Sequence, residues 1–347
     1  MTENETLFGM DLAQLTALCN ELGMPRFAAR QLTRWLYARR TEEPALMSDI
    51  AQRFREQLAT RFTTALTPPR RADGTKKYLF ATAQGAYIES AYIPDGERAT
   101  LCVSSQAGCR MGCAFCATGR QGLVHSLSTA EILNQVVSIP EFERLTNLVF
   151  MGMGEPLDNA DNVLRALDIL TAEWGFGWSP TRITLSTAGV APQLPRLLDQ
   201  TKVHLAVSLH NPFPEERAQI MPVERAWPIR SVVDILRRYD FTHQRRVSFE
   251  YIVLSGMNDS PRHIRELVRL LNGIKCRINL IRFHRIPSSP FFSPDEEAML
   301  RFRDALTARG IHTTIRASRG EDIQAACGLL STAEQMARSG LSAPKEE

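Results

Sequence analysis

Lysine is scarce in this chain of 347 residues: of 41 basic side chains only Lys76, Lys77, Lys202, Lys275 and Lys345 are lysines, and the other 36 are arginines. Long hydrophobic runs are missing as well. No stretch of about eighteen apolar residues occurs, which excludes a transmembrane helix. The opening residues carry neither the basic start nor the apolar stretch of a signal peptide, so a cytoplasmic protein is expected. Glycine and proline, at 20 and 19, stand near average usage, which excludes collagen-like and low-complexity classes. No charge of one sign dominates, since the formal net charge is +3. Without secretory features, the seven cysteines read as reduced thiols available for metal binding or chemistry, rather than as a disulfide framework.

The near-neutral total conceals a local imbalance. Residues 1–25 carry four acids and no base, whereas 26–77 carry twelve bases against five acids. Arginine presents a planar fork suited to phosphate and to base edges, so this segment is a candidate phosphate-facing patch. An arginine-favouring genome explains the overall bias equally well.

The first seventy residues read as helical, with apolar residues at helical spacing over 11–19 and 27–37 and a third helix over 47–60. Two short strands, 78–82 and 86–93, follow as a hairpin. From about residue 99, short apolar β runs alternate with amphipathic helices. The runs fall at 100–104, 147–151, 182–187, 204–209, 248–254, 277–283 and 311–317. The helices fall at 129–138, 159–174, 192–200, 228–239, 261–271 and 294–309. Repeated βα units imply an α/β fold with a parallel sheet and right-handed crossovers. Six main units are too few for a complete eight-fold barrel, so an open, partial (βα)6 barrel is expected. The expected divisions are a helical accessory domain over 1–70, a β-hairpin connector over 71–98, a core over 99–330 and a flexible tail over 331–347. Chemistry on such a sheet belongs in the loops after the strands.

The loop after the first core run reads Gly108-Cys109-Arg110-Met111-Gly112-Cys113-Ala114-Phe115-Cys116-Ala117-Thr118-Gly119. Three thiolates at C-x3-C-x2-C spacing are one short of a closed structural zinc site and one short of the usual four-cysteine iron–sulfur cluster. A three-cysteine cluster leaves one iron open to a substrate or cofactor. The zinc alternative needs a fourth ligand, for which Cys102 and His125 are the candidates. Cys327 and Cys102, taken singly, read as small buried hydrophobes.

Around this loop the sequence resembles the radical S-adenosylmethionine enzymes, and more narrowly the RlmN/Cfr group of RNA adenosine methyltransferases. The resemblance spans roughly 25–330. It rests on the cysteine loop, on residues 100–109, on Phe150-Met151-Gly152-Met153-Gly154-Glu155-Pro156, Leu185-Ser186-Thr187-Ala188-Gly189 and Ser208-Leu209-His210, on residues 315–323, and on Ala325-Ala326-Cys327-Gly328. It implies a radical-SAM barrel in which Cys109, Cys113 and Cys116 hold a [4Fe-4S] cluster whose open iron binds S-adenosyl-L-methionine, two molecules per turnover. Gly154, Glu155, Ser186, Ser208, Leu209 and His210 are then the S-adenosylmethionine contacts, and Phe115 packs or stacks on adenine.

The same resemblance makes Cys327 the methyl-accepting cysteine. A thiolate attacks a sulfonium methyl readily, whereas an aromatic ring carbon does not. Hydrogen abstraction from the S-methyl group lets it add to adenine, and Cys102 then releases the product by forming a disulfide with Cys327. Glu89 is the implied general base. Its bland alternative is a solvated residue on an edge strand. The implied substrates are a carbon-2 adenosine in the peptidyl-transferase region of 23S rRNA and a tRNA adenosine next to the anticodon. A flavodoxin or ferredoxin is the expected electron donor, and a monomer suffices. A Cfr-type enzyme acting on carbon 8, or a zinc-stabilised RNA-binding protein without activity, are the rival readings.

Trp35, Tyr37 and Phe54, interleaved among the arginines, are candidate base-stacking groups, with Trp35 more readily a core residue. Arg316 and Arg319 are further phosphate candidates. Two positions depart from the family pattern. His125-Ser126-Leu127 replaces Arg-Asn-Leu, and His284, after Arg282-Phe283, stands where the family commonly has an S-adenosylmethionine-binding asparagine. An imidazole cannot reproduce the donor–acceptor pair of an amide.

Overall fold

The computed structural model describes residues 6–71, 77–242, 245–284 and 289–316. The chain opens with three α-helices: α1 (Leu12–Glu21), α2 (Ala28–Thr33) and α3 (Gln52–Arg61). Asp11 begins α1 with a capping box, its side chain accepting from the Gln14 N–H while the Gln14 side chain accepts from the Asp11 N–H. A π-helical turn, Arg34–Ala38, continues α2. It turns Trp35, Leu36 and Tyr37 inward together, all three buried.

A ten-stranded sheet forms the body of the molecule. Its first strands, β1 (Arg70–Arg71), β2 (Lys77–Ala81), β3 (Tyr87–Asp95) and β4 (Arg98–Cys102), pair antiparallel. A separate hairpin follows, β5 (Gln106–Cys109) and β6 (Gly122–Ser126), with the short helix α4 (Ala117–Gln121) between its strands. The sheet then runs parallel from β4 through β7 (Asn147–Phe150), β8 (Ile183–Thr187), β9 (His204–Ser208), β10 (Val247–Val253), β11 (Cys276–Arg282) and β12 (His312–Ile315). Between these strands lie α5 (Thr129–Val137), α6 (Ala160–Thr171), α7 (Leu194–Gln200), α8 (Pro214–Ile220), α9 (Ile229–Leu236), α10 (Pro261–Leu271) and α11 (Glu296–Thr307). Six strands each lead through helix to the next, as the pattern of apolar runs predicts. The α/β fold, a partial (βα)6 barrel with a helical N-terminal region, is as expected.

The hairpin expected as a connector is joined directly to the core sheet: β3 hydrogen-bonds to β4 over Ala91–Cys102 to Asp95–Arg98. Glu89 therefore lies on an interior strand between β2 and β4. It is 6% exposed, which removes the alternative of a solvated edge residue.

Strand alternation sorts side chains into two sets. Leu101, Leu148, Phe150, Leu185, Leu205, Val207, Phe249, Tyr251, Ile278 and Leu280 are buried against the helices. The opposite set, including Cys102, Ser186, Ser208, Glu250 and Asn279, faces the concave interior. The N-terminal region shares the main apolar cluster through Leu7, Phe8, Leu32 and Leu36, and ion pairs Arg165–Asp11 and Arg40–Glu143 tie it to the core. Among the described residues no helix is long and apolar enough to cross a membrane.

Candidate active site

Cys109 ends β5, rather than lying in a loop. Cys113 follows in the turn, and Cys116 is the residue before α4. Gly108 makes this geometry accessible. Its φ is +79°, and a Cβ there would fall 1.9 Å from the Gly122 carbonyl oxygen of the paired strand. The turn docks on α8 through the Ala114 N–H, which donates to Ile220 O at 2.9 Å. Burial pushes the Cys109 thiol up to about 12, with Glu155, Cys116 and Asp158 adding to it. Cys113 rises for the same reason and through its two neighbouring cysteines, while Arg217 opposes the rise.

Cys109 and Cys113 stay protonated until a cationic centre supplies the missing charge, and Cys116 lies within electrostatic reach of both. That donor set suits an iron–sulfur cluster with one iron left open to another ligand. Among the described residues no three Cys, His, Asp or Glu side chains gather at a single-ion position. A cubane does not ask for that, because each thiolate binds its own iron. A closed zinc site does. His125, one of the candidate fourth zinc ligands, lies on β6 with both ring nitrogens unpartnered.

Facing the cysteine turn are the ends of β7 to β10. Gly154 has φ +97°, and a Cβ there would lie 2.5 Å from Gln106 Cβ, so the turn after β7 can pack on β5 only with glycine. Glu155 is buried at the centre of this junction. Its Oε1 accepts from Thr187 Oγ1 at 2.6 Å and from the Leu157 N–H at 3.0 Å, and its Oε2 accepts from the Ala188 N–H at 2.7 Å. Burial still wins over those donors, and its carboxyl is pushed up to about 7. Glu155 thus clamps the end of β7 to the end of β8.

Ser186 and Ser208 are half-buried on the interior face, while the Leu209 side chain is fully buried away from it. His210 sits in the left-handed region with φ 55°. Its Nδ1 accepts from the Ile252 N–H at 2.9 Å, which puts the ring proton on Nε2. Burial, followed by the charge of Arg217, depresses its pKa to about 3. Phe115 meets the His210 ring edge-on with centroids 4.8 Å apart. The cysteine turn and the motifs ending β7, β8 and β9 therefore converge at one end of the barrel. His284 lies exposed just past β11.

A second group occupies the interior near β3, β4 and β12. The register pairs Ala91 with Cys102, so Glu89 and Cys102 lie diagonally on the same face of adjacent strands. Lys77 Nζ stands 3.8 Å from Glu89 Oε2, both side chains buried. Burial pushes the Cys102 thiol up to about 11, opposed by Arg316. Arg316, a candidate phosphate contact, is exposed, with Nη1 3.4 Å from Met151 Sδ and 3.8 Å from Glu250 Oε2. Cys327 and Arg319 lie outside the described residues, as do the expected disulfide and the tail.

Several residues in this architecture carry no sequence signal. Arg217, 0% exposed, donates from Nε to Leu209 O at 2.9 Å and from Nη2 to Ser208 O at 2.8 Å and Ala188 O at 3.0 Å, and pairs with Glu224. Asn258 donates to His210 O at 2.6 Å and to Ile252 O at 2.7 Å. One buried arginine and one buried asparagine thus fix the loop that holds His210. In the N-terminal region Trp35, Tyr37 and Phe54 are all buried, which removes them as base-stacking groups. Phe27, which sequence reasoning passed over, is 63% exposed beside exposed Arg26 and Arg30.

An open (βα)6 barrel with a three-cysteine turn at the C-terminal ends of its strands defines a radical S-adenosylmethionine enzyme, and residues 103–271 match the Radical SAM superfamily. Residues 5–63 match the Ribosomal RNA large subunit methyltransferase N-terminal domain. The chain is 52% identical to the probable dual-specificity RNA methyltransferase RlmN of Phocaeicola vulgatus, over 98% of this chain and 99% of that one. It is 55% identical to the protein of the same name from Porphyromonas gingivalis, over 94% and 97%. A radical SAM methyltransferase from Sphaerobacter thermophilus superposes with a TM-score of 0.84 at 42% identity, covering 93% of this chain and 98% of that one. The chain belongs to the RlmN family of radical SAM RNA methyltransferases. It is a SAM-dependent enzyme acting on RNA, with a [4Fe-4S] cluster and S-adenosyl-L-methionine as cofactors.

Proposed function

We propose that the enzyme methylates carbon 2 of a specific adenosine in the peptidyl-transferase region of 23S rRNA, and of a tRNA adenosine next to the anticodon. It does so in the cytoplasm as a monomer, with a flavodoxin or ferredoxin as electron donor. The domain division proposed is an RNA-binding region over 1–70, a hairpin over 71–98 and the catalytic core over 99–330. When bound, the cluster and S-adenosylmethionine supply one-electron chemistry that a protein side chain cannot provide.

In this reading Cys109, Cys113 and Cys116 hold the cluster. Gly154, Ser186, Ser208, Leu209 and His210 line the S-adenosylmethionine site, Leu209 through its backbone. Glu155 fixes the geometry of that site, and His284 is its outermost contact. Cys327 carries the methyl group, Glu89 takes the ring proton, and Cys102 resolves the protein–RNA thioether by forming a disulfide with Cys327. The observation that carries this assignment is the shared interior face of Glu89 and Cys102. A base and a resolving thiol both have to reach the same base, and adjacent strands put them side by side.

Nucleoside mass spectrometry of 23S rRNA and tRNA from cells with and without the gene tests it. Loss of 2-methyladenosine is expected, restored by the wild-type gene and not by Cys327→Ala. Unchanged 2-methyladenosine with a fall in 8-methyladenosine overturns the reading.

A further inference from the structure

The opposite mouth of the barrel, at the N-terminal ends of the strands, contains a cavity of about 720 Å3 between the starts of β9, β10, β11 and β12. His204, Arg245, Arg246, Lys275, Arg277 and His312 are on its wall, and neither Asp nor Glu is among the described residues lining it. Four permanent cations around one concavity repel one another. The arrangement costs stability in the absence of a counter-charge.

Arg245 is the most telling member. Its residue is 7% exposed, its Nη2 donates to Leu198 O at 2.8 Å, and its buried Nε has no partner. Asp199, which accepts from Tyr239, acts on Arg245 through its charge but does not line the cavity. A mostly buried guanidinium with no carboxylate on the cavity wall is a charge that an anion in the cavity can offset. His204 registers the same cationic surroundings. Its Nδ1 accepts from the Arg246 N–H at 3.0 Å, and burial together with Arg246, Arg277 and Arg245 holds its pKa below the ordinary histidine value.

We infer that this cavity is a second anion site, remote from the catalytic end, for a ligand carrying a run of phosphates. Planar guanidinium forks match phosphate oxygens in pairs, and four cations match the charge of an oligophosphate. The volume accommodates a nucleotide-sized group. Two sources share that chemistry: a free nucleoside oligophosphate, or consecutive phosphates of a bound RNA. The inference uses none of the catalytic assignments above and stands or falls apart from them.

Inorganic tripolyphosphate is the probe, titrated calorimetrically into the cluster-loaded enzyme in KCl near the physiological ionic strength of about 0.15 M. Saturable one-to-one binding is expected, weakened at least tenfold in Arg246→Gln/Arg277→Gln. S-adenosylmethionine cleavage should be unchanged in that variant. In the wild type, tripolyphosphate should raise the pH at which the His204 imidazole titrates by NMR, a readout that does not depend on the variant folding. A labelled 23S rRNA fragment separates the sources. Displacement of the RNA by tripolyphosphate, with a matching loss of RNA affinity in the double variant, identifies the RNA backbone. Undisturbed RNA binding identifies a free oligophosphate. Absence of saturable tripolyphosphate binding, equal binding by the double variant, or an unmoved His204 titration overturns the inference.

Discussion

His210 combines three constraints that normally appear separately. Its backbone is in the left-handed region, its ring accepts a backbone hydrogen bond at 2.9 Å, and its pKa is depressed to about 3. The folded protein therefore keeps this ring neutral while the unfolded chain takes up a proton below about pH 6.5. Because the unfolded state binds more protons between about 6.5 and about 3, stability is lost as pH falls through that window and recovered as it rises. A His210→Gln variant still offers an oxygen to the Ile252 N–H but does not titrate. Urea midpoints between about pH 7 and about 4.5 should therefore fall less steeply for the variant than for the wild type, and parallel curves would refute the account. A second test concerns Cys102, pushed up to about 11 by burial and drawn back by Arg316. Arg316→Met should slow alkylation at Cys102 at fixed pH, and Arg316→Lys should largely restore it, as read peptide by peptide in the mass spectrometer. Equal rates in all three proteins would show that Arg316 does not act on this thiol.

At the scale of elements, what the sequence reveals depends on length and periodicity. The helix expected over 261–271 is α10, Pro261–Leu271, because proline marks its start and an apolar stripe runs its length. The βα alternation is equally legible, since every core strand is a short apolar run. The β5–β6 hairpin is not. Gln106-Ala107-Gly108-Cys109 has no apolar alternation, and its register shifts between Ala107 and Gly108. It reads as a loop, yet it supplies Cys109, the first of the three cysteines proposed to hold the cluster. Likewise α8 has seven residues, too few to display a period, and it carries Arg217. The site was legible through its cysteine spacing and strand-end motifs. Its supports were not, because a buried arginine is recognisable only by the carbonyls it meets. The two glycines of the hairpin offer a comparison. Gly108→Ala drives a Cβ onto a backbone oxygen 1.9 Å away, whereas a Cβ at Gly122, φ +75°, meets nothing within 4 Å. Gly122→Ala should cost about 1–3 kcal/mol of backbone strain and keep the cluster. Gly108→Ala should displace Cys109 and lose iron after anaerobic reconstitution. Equal iron content in the two variants would argue against this role for Gly108.

For the whole molecule, the excess of positive charge over 26–77 changes meaning once partners are assigned. Arg34 pairs with Asp49, Arg40 with Glu143, Arg61 with Glu21, and Lys77 with Glu89 inside the sheet. Arg39 lies 3.9 Å over the Trp35 ring. Much of the apparent patch is thus internal fastening, and the count of bases overstates what faces a partner. What remains at the start of α2 is compact. Arg26 and Arg30 are exposed and flank Phe27, a large aromatic ring 63% exposed on an otherwise well-packed helix pair. Exposed phenylalanine between arginines matches unpaired RNA, in which bases stack on rings and phosphates pair with guanidinium groups. The two contributions separate by salt. Phe27→Ala should weaken binding of a 23S rRNA fragment by about tenfold or more while leaving the dependence on salt unchanged, because stacking releases no counterions. Arg26→Gln/Arg30→Gln should weaken binding at low salt and reduce the slope of log affinity against log salt by roughly 1.4, two phosphate contacts at about 0.7 each. Affinities and slopes equal to wild type in both variants would move the RNA-binding surface away from this helix, and with it the proposed role of the N-terminal region.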